Sequence, residues 1–271
     1  MLNFIDKSFS TKKIAQYRLS IQVDLDGFSF CVYDSLSKKH VILRRVPTDF
    51  NVAQELLPEK INAIYSEVGW LSQPFASCSC IYTSKKNTLI PSSFYNKETL
   101  LTFLSFACPL DEMDEVHYKI SEEARAVAIF AVPNMLASQL YTYHHNICFF
   151  NQCIPLIEYA LGQNNSLTMA VSVSNKLVDI AISKEGKFIF HNSFSISNAK
   201  DVLYYTLFAA KQLEVDASYT QLLLSGYISN EVELLLRANF PKLSLSNDIA
   251  LPIASEHITK NYLLLSLHKC E

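Results

Sequence analysis

Glycine is scarce in this chain, with only five residues among 271. Loops that cradle phosphate groups depend on glycine, because a residue without a Cβ lets backbone N–H groups approach the ligand closely. The sequence contains neither a P-loop nor the Gly-x-Ser-x-Gly turn of many hydrolases. The shortage of glycine therefore argues against a protein built around a glycine-rich phosphate loop or nucleophile loop.

Long apolar runs and blocks of like charge are lacking as well. The longest uninterrupted apolar run covers residues 126–132, whereas a helix that crosses a bilayer needs about 20 such residues. The formal net charge of -3 is spread along the chain and creates no basic surface for nucleic acid or anionic lipid. Residues 1–7 do not resemble a signal peptide. We therefore expect no membrane span and no nucleic-acid partner.

A disulfide framework is not indicated. Seven cysteines, an odd number, are scattered through apolar stretches, where cysteine commonly packs as a small hydrophobic residue. Residues 78–80 and 144–153 contain cysteine or histidine pairs, but their spacing fits no zinc pattern. No metal or other cofactor is predicted, and a reducing cytoplasm is the simplest location for the chain.

Apolar residues are plentiful. They make up 49% of the chain, against 18% charged residues, which is enough to build a full core in one large domain or two ordinary ones. Alternating apolar residues predict strands, and apolar residues at a helical period predict helices. In the first half, this predicts strands at residues 20–24, 28–33, 40–46, 76–82, 116–120 and 126–132, and helices at residues 52–68 and 98–107.

The second half repeats this order. Gly186 supplies a turn between two strands, and Asn198 with Asp201 marks the start of a helix that runs to about residue 213. Chance is an alternative, because many α/β proteins contain β-meanders, but the shared order strand-strand-strand-helix-strand-helix favours a duplication. The other elements predicted in this half are strands at residues 167–173, 177–183, 187–194, 221–225 and 242–245, and helices at residues 230–238 and 256–267.

The duplicated order resembles the actin-like ATPase superfamily. It is similar in particular to the cytoplasmic actin-like proteins of type IV pilus assembly and type II secretion, and to an uncharacterised bacterial family of actin-like fold. The resemblance spans roughly residues 18–270 and implies an α/β fold of duplicated, ribonuclease H-like βββαβα domains, at residues 14–145 and 146–271, with a cleft between them. The stretches that carry it are residues 23–29 at the first hairpin, 129–133 closing the first sheet, 186–190 and 222–226.

In active members of this superfamily, one hairpin from each domain holds the nucleotide phosphates and supplies an Asp that orients magnesium. The first hairpin here keeps Asp24, Gly27 and Ser29, but Asp26 stands where the resemblance implies glycine. A carboxylate beside a phosphate adds repulsion unless a bound cation offsets it, although Asp26 followed by Gly27 also suits a hairpin turn. The first hairpin is therefore only partly equipped to hold a nucleotide.

The other two nucleotide motifs depart further from the superfamily pattern. The second hairpin has residues 172–174, Ser-Val-Ser, where Asp-x-Gly is implied, so we expect no metal-orienting acid there. Lys176 nearby is either an anion contact or a solvated turn residue. The nucleoside motif keeps Gly226, but the bulky Tyr227 follows it. The resemblance thus implies a vestigial nucleotide site, with the candidate residues Asp24, Asp26, Gly27, Ser29, Lys176 and Gly226.

The predicted helix that includes residues 202–210 is apolar almost all round. A surface helix normally has a polar face, so this helix is either deeply buried or carries an apolar surface for a partner. Tyr204 and Phe208 are the candidate contacts with an unknown protein partner or a second copy of the chain.

Three hypotheses for function follow. The first is a non-catalytic scaffold or interaction protein that keeps the actin-like frame and has a degenerate nucleotide site, without enzyme activity. The second is a divergent ATP-binding protein or kinase that uses Asp24 and Asp26 with a metal, together with Ser29 and Lys176. The third is a module that binds a small anionic ligand in the cleft between the domains, where such sites tend to lie.

Overall fold

A computed structural model describes residues 2–24, 27–47, 56–163 and 165–270. Two predicted features fall outside these ranges: the candidate site residue Asp26 and the beginning of the helix predicted at residues 52–68. The eight α-helices in the described ranges are α1 (Leu57–Glu67), α2 (Leu100–Ala107), α3 (Asn134–Tyr143), α4 (Cys153–Leu161), α5 (Ala199–Gln212), α6 (Asn230–Asn239), α7 (Ser255–Lys260) and α8 (Tyr262–Ser266).

The strands of these same ranges form three sheets. In chain order the strands are β1 (Asn3–Ile5), β2 (Tyr17–Asp24), β3 (Gly27–Asp34), β4 (Lys39–Pro47), β5 (Ser77–Tyr82), β6 (Asn87–Pro91), β7 (Asp114–Ser121), β8 (Ala126–Pro133), β9 (Cys148–Asn151), β10 (Leu167–Val173), β11 (Leu177–Lys184), β12 (Lys187–Ser195), β13 (Gln221–Gly226) and β14 (Leu243–Leu245).

The two larger sheets share one internal order. The first has the order β1-β4-β3-β2-β5-β9, and the second has the order β12-β11-β10-β13-β14. In each, an antiparallel meander of three strands is followed by two strands that run parallel to its first strand. Apart from the added edge strand β1, the strands of both sheets thus follow the spatial order third, second, first, fourth, fifth. This common strand order agrees with the predicted duplication.

Each larger sheet has its own apolar core, and a third core lies between the sheets. The first core includes the inward residues of β2 and β3 together with apolar residues of α1 and α3, and the second joins β10, β11 and β13 to α5 and α6. The third core brings α4 and α8 together with Ile81 of the first sheet and Ala170, Ala181 and Leu223 of the second. Packing through α4 and α8 therefore fixes where the ends of the two meanders meet.

The prediction that residues 129–133 close the first sheet is wrong. They lie in β8, the central strand of a separate sheet with the order β6-β8-β7, and α2 packs against this sheet. All eight residues of β8 are buried. Because a strand that is covered on both faces has the same apolar sequence in any sheet, its composition alone did not show to which sheet it belongs.

The last helix also differs from its prediction. In place of one helix over residues 256–267, α7 and α8 are separated at Asn261. The backbone N–H of Asn261 contacts the carbonyls of His257 and Ile258, and its side chain donates to the His257 carbonyl at 2.8 Å. Side-chain bonds of this kind compete with regular helix geometry, which explains the break.

The division into domains at residues 145 and 146 stays a prediction. Strand β9 begins at Cys148, after the predicted boundary, yet it pairs with β5 of the first sheet. This pairing favours a boundary after Asn151. In the described part of the chain, no helix is long and apolar enough to cross a membrane.

Candidate functional site

The turn ends of two hairpins, β2–β3 and β10–β11, face each other across a small cavity. Asp24, the last residue of β2, pairs with Gly27 of β3, and Ser172 of β10 pairs with Asp179 of β11. The cavity has a volume of about 20 Å³, which is room for about one water molecule. Its lining comes from both sheets and consists of Gln22, Asp24, Thr83, Gln152, Ser172, Val173, Ser174, Asp179, Gly226, Tyr227, Lys260 and Leu263.

Asp24 is buried, and the protein itself supplies its partners. The Thr83 hydroxyl donates to Asp24 Oδ1 at 2.5 Å, and Gln22 Nε2 donates to the same atom at 3.0 Å. Arg45 Nη1 lies 3.7 Å from Asp24 Oδ2. Because a buried carboxylate is costly unless it is paired and hydrogen-bonded, these contacts satisfy the Asp24 carboxyl group from within the chain.

Gly27 lets Arg45 lie directly on the first hairpin. A Cβ at position 27 would be 2.7 Å from Arg45 Nη2, closer than such atoms approach one another. Arg45 Nη1 also donates to the buried Ser29 hydroxyl at 3.3 Å. Three predicted site residues, Asp24, Gly27 and Ser29, are thus brought together, and what they hold is the guanidinium of Arg45.

Gly226 is required by a backbone contact between the strands of the second sheet. Its φ of +94° favours glycine, and a Cβ there would be 2.0 Å from the Val173 carbonyl oxygen. The next N–H, of Tyr227, donates to the same carbonyl at 2.6 Å. Gly226 therefore directs the chain so that the Tyr227 side chain reaches the cavity.

The Tyr227 ring contacts two cations. Arg45 Cζ is 5.0 Å from the ring centroid, and Lys260 Nζ is 4.0 Å from it. Both distances are within the range of cation–π attraction. Because Arg45 comes from β4 and Tyr227 follows β13, this contact joins the two larger sheets at the cleft.

The second hairpin has no acid at residues 172–174, but its other strand places one at the cavity. Asp179 lines the cavity from β11 and is almost fully buried. It accepts hydrogen bonds from Ser193 and, at 3.0 Å, from Gln152 Nε2, and His191 Nε2 lies 3.7 Å away. The signal in the sequence was a single Asp within the apolar strand at residues 177–183, since an unpaired charge is rarely placed at a core position.

Gln152 is a second cavity residue that sequence reasoning missed. Its side chain accepts from the Ser84 N–H at 3.1 Å and donates to the Ser84 carbonyl at 2.9 Å. Together with its bond to Asp179, these contacts connect the loop after β5 to the second meander. Nothing in the sequence indicated this role, because Gln152 follows a strand, β9, that was not predicted.

Lys176 is separate from this group. It is an exposed residue of the turn between β10 and β11 and does not line the cavity. Its carbonyl accepts from the Ile196 N–H at 2.9 Å.

The cavity does not fit the nucleotide and metal that the fold implies. Asp24 and Asp179 are candidate oxygen ligands for a cation, but the space between the two meanders accommodates about one water. The guanidinium of Arg45 already neutralises Asp24. In the described ranges, no group of three or more His, Cys, Asp or Glu side chains has the arrangement of a metal site.

A larger recess, the front pocket, shares Gly226, Tyr227 and Lys260 with the lining of the small cavity. Its volume is about 590 Å³, within the range of small-molecule sites. The buried Thr259 has an Oγ1 atom without a hydrogen-bond partner and lines this pocket. The lining residues are Gly226, Tyr227, Ile228, Ser229, Asn230, Glu233, Leu245, Glu256, His257, Thr259 and Lys260.

Helix α5 is buried on one side only. Val202, Thr206 and Ala209 face the second core, whereas Tyr204 and Phe208 are 60% and 40% exposed. The two exposed rings are nearly parallel, with centroids 6.0 Å apart. The apolar helix therefore presents an aromatic pair at the surface, which we call the α5 surface.

Comparisons with known proteins agree on the fold. A family model described as a protein of unknown function (DUF3822) matches residues 6–239. The chain is similar to a Bacteroides thetaiotaomicron protein of actin-like ATPase fold and unknown function, with 25% identity, a TM-score of 0.84 and coverage of 97% of this chain and 99% of that chain. It is also similar to a chain of a PilM–PilN type IV pilus biogenesis complex, with 9% identity, a TM-score of 0.56 and coverage of 94% and 98%. No curated protein matches the chain.

Proposed function

The chain belongs to the DUF3822 family, and we propose that it is a non-catalytic interaction protein in which the nucleotide site of an actin-like ATPase fold has degenerated. The actin-like fold implied by the sequence is confirmed by the similarity to the Bacteroides protein. The proposal concerns what this fold does in the present chain, since fold alone does not determine function.

The contact of Arg45 with the first hairpin carries the proposal. The guanidinium lies against Gly27 and next to Asp24, at the hairpin that holds phosphates and metal in active members of the superfamily. A protein side chain thus supplies the positive charge that a metal ion would otherwise bring to Asp24. Displacing it would leave Arg45 to find new partners and Asp24 buried without its cation, a cost that opposes nucleotide binding.

Tyr227 supports the same conclusion from the second sheet. It lines both the front pocket and the small cavity. We expect its bulky ring to obstruct a nucleotide whose base occupies the front pocket and whose phosphates reach Asp24 and Asp179. Both barriers are residues of the chain, so both can be removed by mutation.

The experiment is a thermal-shift titration with magnesium-ATP and magnesium-ADP. A ligand that binds only the folded state stabilises it by about 2.7 kcal/mol at a hundredfold excess over Kd, so even weak binding raises the melting temperature. We expect no change for the native chain up to millimolar nucleotide. A saturable rise that Asp24→Ala abolishes would overturn the proposal and favour the alternative of a divergent ATP-binding protein using Asp24 and Asp26 with a metal.

The partner we propose is another protein, met in the cytoplasm. One relative of this fold, PilM, has been solved in a complex with PilN, so the frame is compatible with a binding role. The α5 surface is a candidate contact, because exposed apolar patches commonly mark interaction sites. A second copy of the chain is the alternative occupant, and measurement of the oligomeric state distinguishes the two.

A second candidate function is binding of a small anionic ligand in the cleft, and the front pocket favours it. Ser229 and Asn230 at the beginning of α6 line this pocket together with Lys260 and the unpartnered Thr259 hydroxyl. A helix beginning and a lysine both favour a negatively charged group. If Thr259→Val leaves every ligand-induced thermal shift unchanged, this candidate is wrong.

A further inference from the structure

A second large recess, the rear pocket, lies away from the cleft. It is formed by the hairpin between β3 and β4, the loop after β14 and the residues that follow α8, and its volume is about 690 Å³. None of the residues that line the front pocket lines it as well. Its size is within the range of small-molecule sites. The rear pocket is therefore a separate candidate site, beyond the function proposed above.

The rim of the rear pocket is cationic. Lys38, Lys39 and Lys269 line it from two distant parts of the sequence, and all three are exposed. Two carboxylates, of Asp6 and Asp248, also line the pocket. Three ammonium groups against two carboxylates give the recess a positive balance, although the chain as a whole has a net charge of -3.

Both carboxylates have local partners. Asp6 Oδ1 accepts from the N–H and the hydroxyl of Ser8, at 2.8 and 2.6 Å. Asp248 lies close to the Tyr262 side chain. Hydrogen bonds from neutral donors leave the charge of a carboxylate in place, so the balance stays at three cations against two anions.

An aromatic wall lies next to the lysines. The rings of Tyr33 and His268 are stacked, with centroids 4.0 Å apart and 21° between the planes. His40 packs edge-on against both rings. The carbonyl oxygen of Leu265 accepts from His40 Nε2 and from His268 Nδ1, each at 2.8 Å. The wall is thus held in place by hydrogen bonds to α8.

Another part of the lining of the rear pocket is aliphatic. Ile249, Leu251 and Pro252 line it, and the first two pack against a core cluster that includes Leu264 and Leu265. A recess that combines a flat aromatic wall, an aliphatic side and a cationic rim has the usual composition of a site for an organic ligand: mostly apolar, with a few placed polar groups.

We propose that the rear pocket binds a small organic anion with a flat apolar body and a phosphate or carboxylate group. The apolar body lies between the Tyr33–His268 stack and the aliphatic side, and the anionic group lies at the rim between Lys38, Lys39 and Lys269. A fully hydrated inorganic anion uses only the rim, and a neutral aromatic molecule uses only the walls. Both are therefore weaker ligands than a molecule that has the two parts together.

The test uses the full chain and phenyl phosphate as the probe, with inorganic phosphate and benzyl alcohol as the two partial probes. Isothermal titration is expected to show saturable binding of phenyl phosphate at millimolar concentrations or below, and weaker binding of either partial probe. The imidazole C–H signals of His40 and His268 are expected to shift in the NMR spectrum with the same saturation curve. Absence of saturable binding by the native chain would overturn the proposal.

A charge-reversed variant locates the site. Replacing both Lys38→Glu and Lys39→Glu is expected to weaken phenyl phosphate binding about tenfold or more. The matched control is Lys184→Glu, an exposed lysine at the turn between β11 and β12, which is expected to leave the affinity unchanged. If the double variant keeps a native circular dichroism spectrum and binds as tightly as the native chain, the ligand lies elsewhere and the proposal is wrong.

Discussion

The guanidinium of Arg45 and the backbone of Gly27 are so close that position 27 has no room for a Cβ without a movement of Arg45. In the superfamily that the sequence resembles, a glycine in this hairpin brings backbone N–H groups to a phosphate. Here the same residue type brings the backbone to an arginine of the neighbouring strand. The glycine that the resemblance implies is replaced by Asp26, and the neighbouring Gly27 makes the contact with Arg45.

Three glycines give a graded test of this interpretation. Gly226→Ala is expected to reduce the free energy of unfolding by several kcal/mol, because φ is +94° and the new Cβ meets the Val173 carbonyl at 2.0 Å. Gly27→Ala is expected to cost about 1 kcal/mol, since the flexible end of Arg45 can move away. Gly69→Ala is the control, because nothing lies within 4 Å of its Cβ position. Urea denaturation gives all three values; equal losses at positions 27 and 226 would contradict this account.

Removing the cation from Asp24 tests whether the pair is coupled. Arg45→Met leaves Asp24 buried without the nearby guanidinium, and we expect a loss of about 2 kcal/mol in the free energy of unfolding. Asp24→Asn alone is expected to cost less, because the amide still bonds to Thr83 and Arg45 is 12% exposed. In a double-mutant cycle, the combined variant is expected to be more stable than the sum of the single losses implies. Strict additivity would show that the two side chains do not stabilise each other.

Acid is expected to destabilise the fold through His40. Burial lowers the pKa of His40 to about 4 from its usual 6.5, with repulsion from His268 and Lys269 adding to the effect. A buried neutral histidine contributes stability that is present above pH 6.5 and is lost as the pH falls toward 4, because the unfolded chain binds the proton first. The contribution is on the order of 3 kcal/mol at most.

The check is a comparison of melting temperatures over that pH window. His40→Gln keeps a donor toward the Leu265 carbonyl but cannot be protonated, so its melting temperature is expected to fall less between pH 6.5 and 4. The pKa values of His117 and His144 are also lowered to about 4 by burial, so some acid sensitivity remains in the variant. Parallel curves for the native chain and the variant would exclude a contribution from His40.

Mutation of the α5 surface tests whether it forms a contact with a second copy of the chain or with another protein. The double variant Tyr204→Glu, Phe208→Glu is expected to keep its free energy of unfolding within about 1 kcal/mol of the native value, because both side chains are exposed. If the native chain is a dimer through this surface, sedimentation velocity is expected to show a monomer for the double variant. Lys200→Glu, on the exposed part of the same helix, controls for a simple change of charge. If the double variant is still a dimer, α5 does not belong to the dimer interface. If the native chain is a monomer, the α5 surface does not form a dimer, and contact with another protein is the role that we propose for it.

The elements that the sequence predicted correctly are those with clear local signals. The two meanders were predicted because alternation and turn residues mark them, and the start of α5 was predicted because Asn198 and Asp201 form a complete capping box. The pairing of β9 was missed, since four residues carry little periodicity. The small sheet was not separated from the first sheet, because β8 is buried on both faces.

At the candidate site, the sequence indicated the positions but not the contacts. Asp24, Gly27 and Ser29 lie together as the resemblance implied, and Gly226 lies at the same cleft. Arg45 was not indicated, because it belongs to a neighbouring strand and only the pairing of β3 with β4 brings it there. The position of Asp179 at the cavity follows from its pairing with Ser172, and the register of that hairpin is not evident from the sequence. Contacts between distant segments depend on tertiary packing, which no local pattern encodes.

The helix break at Asn261 separates two helices with different contacts. Helix α7 contacts β13 of the second sheet, whereas α8 contacts β2 and β3 of the first sheet as well as β13. Lys260, the last residue of α7, lines the front pocket, and Leu265 of α8 holds the histidines of the rear pocket. The two short helices on either side of Asn261 therefore connect the lining of the front pocket to the histidines of the rear pocket.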